Sequence, residues 1–340
     1  MKAVVKWKEG AGSISFAEWP APVPGPGEVQ IDVAYAGICG TDLKIRSGDY
    51  WSNPPVVLGH EYSGFVSDTG EGVTDLKLGD PVVSETAQVV CGKCEYCLSG
   101  NFLMCDGRLS IGYGTDGAFG DSIAVRRAIV HQIPEGVSMR EAAMCEPAAV
   151  ALHAVFDYAQ VLPTDTVLVF GPGTIGQLVA QAARSLGASV VLCGTEADAF
   201  RLEIAERLGF TVTAAGAEEL QSFVDQLTGG KGADWAFECS GAAPAVSLAL
   251  RCLKKQGVLV QVGLTKPNIP LDYGLVAMRE LTIRGAFGHR NVNWNQALQM
   301  MAAKQIDVDP LITDEFSFEE WEEAFDKAEK LHSIKVLLHP

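Results

Sequence analysis

The chain has 340 residues, of which 48% are hydrophobic and 20% charged. That suits two soluble globular domains and excludes long disorder. Its 26 Lys and Arg against 42 Asp and Glu give a net charge of −16. Phosphate binding needs clustered cations, so neither nucleic acid nor an anionic membrane surface is an expected partner. No run of about 18 apolar residues offers a membrane span. The start, Met1-Lys2-Ala3-Val4-Val5, lacks the apolar core of a signal peptide. The nine cysteines are therefore expected in a reducing cytoplasm, where metal binding, catalysis or burial explains thiols better than disulfides.

The first 150 or so residues are rich in Gly, Pro and short β-like runs, such as Val29–Val33 and Pro81–Val83. Pro20–Gly27 (PAPVPGPG) cannot be helix and reads as an extended loop inside one β-rich domain. Three separated segments carry metal-ligating residue types. They are Cys39 in Gly-Ile-Cys-Gly-Thr-Asp, His60-Glu61 in Gly-His-Glu-Tyr-Ser-Gly, and Glu146 in Cys-Glu-Pro. One thiolate, one imidazole and one or two carboxylates suit a catalytic zinc that keeps a position for substrate. Their wide separation makes the grouping weak on residue chemistry alone.

Between them Cys91, Cys94, Cys97 and Cys105 are spaced C-x2-C-x2-C-x7-C. Four thiolates on short loops form a closed tetrahedral shell, the mark of a structural zinc without an open position. Iron–sulfur ligation and a cytosolic disulfide are the weaker alternatives.

The texture changes near Pro163. Thr166–Phe170 is a buried-strand run, followed by Gly171-Pro172-Gly173-Thr174-Ile175-Gly176. Ile175, Leu178, Val179, Ala182, Ala183 and Leu186 then repeat at helical spacing until Gly187. A strand, a glycine loop and a helix in this order bind a dinucleotide pyrophosphate at the helix N-terminus. Glu196, about 20 residues on, is the expected partner of the adenine ribose, which favours NAD. Arg201 is the residue that could instead meet the 2′-phosphate of NADP. Ser189–Cys193, Ala233–Phe237 and Val258–Val262 are further strands, and their alternation with helices implies a parallel sheet covered on both faces. In the tail, Trp294, Ala297, Leu298 and Met301 share a helix face. Ser317 with Glu320 makes a capping box before a second helix, and Ile334–Leu338 is the last strand. The tail is expected to return to the N-terminal domain.

Taken together, the GHE-x-x-G segment, the four-cysteine lobe, the glycine loop and the Ile334-Lys335-Val336-Leu337 ending resemble the zinc-dependent medium-chain dehydrogenase/reductase family from Met1 to Pro340. Glu61 after His60, with Glu146 in the CEP motif, is similar to the polyol (sorbitol or iditol) and threonine dehydrogenase branch. The fold this implies is α/β, with a GroES-like catalytic domain over residues 1–150 and 289–340, its structural zinc lobe at 88–108. The Rossmann coenzyme domain would occupy 151–288. The resemblance implies two zinc ions per chain. Cys39, His60, Glu61 and Glu146 would serve the catalytic one, Glu146 directly or through water. It also implies zinc-dependent oxidation of a secondary alcohol, such as sorbitol or L-iditol, with hydride transfer to NAD or NADP. Threonine-type amino-alcohol oxidation, or oxidation of another secondary alcohol or diol, is the alternative.

Thr41 would relay the proton. Lys44 stands where this branch often has a proton-passing His, so the outer end of that route is open between Lys44 and water. Gly171, Gly173, Thr174, Ile175, Gly176, Glu196, Arg201, Gly263, Phe287 and Arg290 form the expected coenzyme set. Tyr50, Phe119 and Arg290 fall where the family lines its substrate pocket. The resemblance further implies a homo-oligomer, dimer or tetramer, built through coenzyme-sheet edges around Gly263–Gly285.

Overall fold

Strand Glu28–Gly37 buries Val29, Ile31 and Val33 while Asp32 faces outward, the two-residue period of a half-buried strand. In the computed structural model, which describes residues 1–214, 216–265 and 268–340, this strand is the centre of a seven-stranded sheet. Glu61–Thr69 runs antiparallel along one side of it. Ser122–Arg126 pairs with the start of its other side and Lys335–His339 with the end. The tail thus re-enters the N-terminal sheet, with Leu337 opposite Gly37 and Leu338 opposite Ala36. Ile312–Ser317 extends the sheet in parallel beyond Lys335–His339. Ser317 and Glu320 form the capping box, Ser317 N–H donating to Glu320 Oε2 at 2.8 Å. The helix that follows, Trp321–Ala328, buries Trp321, Ala324 and Phe325, with Phe325 edge-on to Phe119 at 6.0 Å.

The chain divides into two compact units. One comprises Met1–Ala149, His289–Lys304 and Val308–Pro340; the other comprises Val150–Gly288 and Gln305–Asp307. The second unit holds a six-stranded parallel sheet. Its strand order is Thr211–Thr213, Ser189–Cys193, Thr166–Phe170, Ala233–Glu238, Leu253–Gln261 and Thr282–Gly285. Numbered along the chain this is 3-2-1-4-5-6, the doubly wound dinucleotide-binding order. Val167, Leu168 and Val169 are fully buried, as an apolar central strand covered on both faces requires.

One strand differs from its sequence expectation. The fifth runs from Leu253 to Gln261 and not from Val258 to Val262. Its register jumps from Ala233–Leu253 to Trp235–Val258. The polar residues Lys254, Lys255 and Gln256 fill that bulge, and Gln256 has φ +63°, so the segment reads as loop although its flanks pair. Among the described residues, no helix is long and apolar enough to cross a membrane.

Candidate active site and metal centres

Cys39 ends the approach from strand Glu28–Gly37 and caps helix Gly40–Ser47. Its backbone N–H donates to the Asp42 carboxylate at 2.9 Å, which fixes the helix start and holds Asp42 fully buried. Glu61 begins the neighbouring strand and pairs with Gly37. A Cβ at Gly37 would lie 2.4 Å from Glu61 Oε2, so only glycine leaves that carboxylate room. One Cys39, His60 and Glu61 ligand atom each lie within 4.8 Å of one another.

Two residues that sequence reasoning gave no role frame this set. Asp42 Oδ1 stands 3.7 Å from His60 Nδ1, and both atoms are buried without a hydrogen-bond partner among the described residues. A metal-ligating imidazole commonly gives its second nitrogen to a carboxylate, and Asp42 is placed for that. Lys335 Nζ donates to Glu61 Oε2 at 2.5 Å and to Ile38 O at 3.0 Å. The side chains of this pair are 4% and 1% exposed.

Burial disfavours charge on His60, yet Asp42 and Cys39 beside it outweigh that and hold its pKa well above the ordinary value. Burial and the nearby Glu61 push Glu146 up to about 7, against the opposing pull of His60. The causes differ: burial is the larger one at Glu146, whereas the neighbouring Asp42 and Cys39 act on His60. A thiolate, an imidazole and a carboxylate, three ligands and not four, fit zinc of the catalytic kind. Glu146, in helix Cys145–Leu152, is buried and senses both His60 and Glu61, but it lies outside the tight three-residue set.

The cysteine lobe also brings its four residues together. Cys94 and Cys97 sulfurs are 3.5 Å apart and those of Cys91 and Cys97 are 3.9 Å apart. A tetrahedron with Zn–S bonds of about 2.3 Å has an edge of about 3.8 Å, so the cage is the right size. Backbone N–H groups of Lys93 and Cys94 bring the Cys91 thiol down to about 6, which favours the ligating thiolate.

Thr41 and Lys44 are half-buried, one turn apart on helix Gly40–Ser47. Tyr50 packs edge-on against Tyr113 at 5.6 Å, and Tyr113 in turn against His60 at 6.1 Å. Burial and Tyr113 push the Tyr50 phenol up to about 12. Arg108, not singled out in the sequence, donates to the Tyr113 hydroxyl at 3.0 Å. Phe119 corrects its expectation as a pocket residue: it is fully buried in the core with Phe325.

In the second unit, Gly171 takes φ +93°, and a Cβ at Gly176 would sit 1.9 Å from Gly171 O. At Gly173 the nearest atom to such a Cβ is Arg201 Nη1 at 3.8 Å, leaving the loop face open for a ligand. Thr174 and Ile175 begin helix Thr174–Ser185. A cavity of about 610 Å³ beside the loop is lined by Gly171, Gly194, Thr195, Asp198 and Ser240 among others. Glu196 is exposed and not part of that lining; the acid that lines it is Asp198. The reason is local. The turn Glu196–Asp198 is 3-10 helix, and Asp198 Oδ2 folds back onto Thr195 N and Oγ1 at 2.9 and 2.8 Å. Gly263 packs against Gly241 and the buried Glu238, whose carboxylate accepts from Ser240 N and Gln261 Nε2. Phe287 is 38% exposed. Arg290 belongs to the first unit and starts helix Asn291–Ala302, donating its N–H to Asn293 Oδ1 at 2.8 Å.

Residues 25–135 match the alcohol dehydrogenase GroES-like domain and residues 174–303 match the zinc-binding dehydrogenase domain. The chain is 39% identical to sorbitol dehydrogenase of Halalkalibacterium halodurans, over 100% of this chain and 99% of that one. It is 37% identical to D-arabitol-phosphate dehydrogenase of Enterococcus avium, over 99% and 97%. A zinc-binding dehydrogenase of Sinorhizobium meliloti 1021, solved bound to NADP, superposes with a TM-score of 0.90 at 31% identity, over 100% and 99%. The chain belongs to the zinc-dependent medium-chain dehydrogenase/reductase family, within its polyol and threonine dehydrogenase branch.

Proposed function

We propose that this protein oxidises a secondary alcohol, in the first place a polyol such as sorbitol or L-iditol, to a ketone with hydride transfer to NAD(P). The observation that carries the reading is the buried convergence of Cys39, His60 and Glu61. When bound there, zinc supplies a Lewis acid for the substrate hydroxyl, and the nicotinamide is the hydride acceptor. Cys39, His60 and Glu61 hold the metal, with Glu146 as the further carboxylate. Asp42 orients His60, and Lys335 holds Glu61 on the strand edge. Thr41 takes the hydroxyl proton and passes it outward, with Lys44 or water at the far end. Tyr50 and Tyr113 wall the site and orient the carbon chain. The four lobe cysteines hold a structural zinc.

Gly171, Gly173, Thr174, Ile175 and Gly176 receive the coenzyme pyrophosphate, with Arg201 beside them. Gly263, Phe287 and Arg290 complete the coenzyme set. Asp198 takes the ribose role first given to Glu196. A carboxylate repels a 2′-phosphate, so NAD is the favoured oxidant and NADP the tested alternative. The protein is cytoplasmic and forms a homo-oligomer. The oligomer is supported by strand Thr282–Gly285, an exposed edge paired on one side, with Ile283 41% exposed. Residues 266–267 of the expected Gly263–Gly285 edge lie outside the described residues. The test is a panel of sorbitol, xylitol, 2,3-butanediol, D-arabitol phosphate and threonine with each coenzyme. Polyol oxidation with NAD is expected; turnover of threonine alone would overturn the polyol reading.

A further inference from the structure

Behind Glu146 lies a buried polar stack that the proposed chemistry does not use. His289 is 2% exposed and Trp294 1%. The Trp294 indole N–H donates to His289 Nδ1 at 2.8 Å, and the two rings meet edge to face at 5.0 Å. An indole nitrogen only donates, so His289 Nδ1 is the accepting nitrogen and the neutral ring carries its proton on Nε2. That nitrogen faces Thr86 Oγ1 at 3.3 Å and Glu146 Oε1 at 3.8 Å. The first contact is a hydrogen bond, and the second is a charge–dipole contact across a buried gap.

Trp294 is itself held in place. Its ring stacks on His131 at 5.8 Å with an interplanar angle of 7°. His131 Nε2 bonds Glu85 Oε1 at 3.1 Å, and Asn291 Nδ2 donates to the same oxygen at 2.7 Å. A ring with one nitrogen accepting and the other protonated has no lone pair left for a metal, which excludes His289 as a ligand. It remains a directed donor.

We propose that His289 is a positioning residue for Glu146: its ring, fixed by the Trp294 indole and by its Nε2–H bond to Thr86, stands against the Glu146 carboxylate and limits how that carboxylate turns. This rests on the reading that Glu146 serves the catalytic metal. Partners of this kind commonly change metal affinity about 10–100-fold when removed.

The test uses full-length His289→Phe, His289→Gln, Trp294→Phe and Glu146→Gln chains, checked for folding by thermal melting. Each is titrated with a chelator while bound zinc is counted. Cobalt exchange then gives a visible spectrum in which a one-thiolate site is distinct from a four-thiolate one. His289→Phe should weaken the catalytic-site zinc about 10–100-fold and alter its cobalt spectrum. His289→Gln, whose amide N–H replaces Nε2–H, should restore both. Trp294→Phe frees the tautomer and should alter the spectrum even where His289→Phe fails to fold. If His289→Phe and Trp294→Phe leave affinity and spectrum unchanged while Glu146→Gln changes them, the positioning role is wrong. If Glu146→Gln also changes neither, the reading of Glu146 fails with it.

Discussion

Lys335→Met removes the cation from a buried ion pair and leaves the Glu61 carboxylate, 1% exposed, facing apolar atoms. The lysine makes two contacts, to Glu61 Oε2 at 2.5 Å and Ile38 O at 3.0 Å. Breaking one side of a buried pair costs about 3–5 kcal/mol, because the remaining charge keeps its desolvation penalty. For a folding unit of this size each kcal/mol lowers the melting temperature by about 2–4 °C, so a fall on the order of 10 °C is expected. Zinc beside Glu61 restores a positive neighbour. The loss should therefore be largest in chelator and smaller in zinc-saturated protein. Thermal melting by circular dichroism of wild type, Lys335→Met and Lys335→Arg, each with zinc or with chelator, measures it. Lys335→Arg keeps the charge and should fall between the two. An unchanged melting temperature for Lys335→Met in chelator, or an equal fall with and without zinc, would refute the reasoning.

Other outcomes follow from the same geometry. Cys94→Ser opens the lobe cage and should lower bound zinc by one ion per chain, read by elemental analysis, while the Cys39 site keeps its own. Gly176→Ala places a methyl 1.9 Å from Gly171 O, whereas Gly173→Ala meets nothing nearer than 3.8 Å. NADH binding, read by fluorescence titration, should weaken at least about tenfold more in the first than in the second, since the turn itself fails. Burial raises the Glu141 carboxyl, but Lys304 Nζ at 2.9 Å and Ser138 N at 2.9 Å outweigh that and hold it below its ordinary value. A folded-state pKa below the unfolded one gives stability that is present above the unfolded pKa of about 4.3 and is lost as pH falls through the folded value. Denaturant melts should thus show Glu141→Gln less stable than wild type at neutral pH and converging with it in acid. A constant difference across that range would contradict the sign.

The fold was readable because its signals are local. Apolar strands, a helix of period 3.6 and a glycine loop recur in order after Thr166, and each is visible within a dozen residues. The ligand types at Cys39, His60 and Glu61 and the four lobe cysteines were visible too. What surrounds them was not. Lys335 reaches Glu61 only because the last strand pairs with Glu28–Gly37, a register that no local pattern encodes. Asp42 carried a local sign, since an acid three residues after Cys39 is a helix N3 position. Its second job beside His60 depends on the tertiary packing. Counting from the glycine loop reached Glu196, and a single 3-10 turn moved the lining acid to Asp198. Phe119 was expected at the pocket from the family resemblance alone, whereas its ring fills the core under Gly59.

The most direct measurement of the central claim compares wild type with Cys39→Ser, both folded, on the best alcohol of the panel. Reduced nicotinamide is followed by absorbance and zinc is counted in the same samples. The account predicts that Cys39→Ser keeps the lobe zinc, loses the other ion and forms no reduced nicotinamide. Alcohol oxidation at the wild-type rate by Cys39→Ser holding one zinc would contradict it.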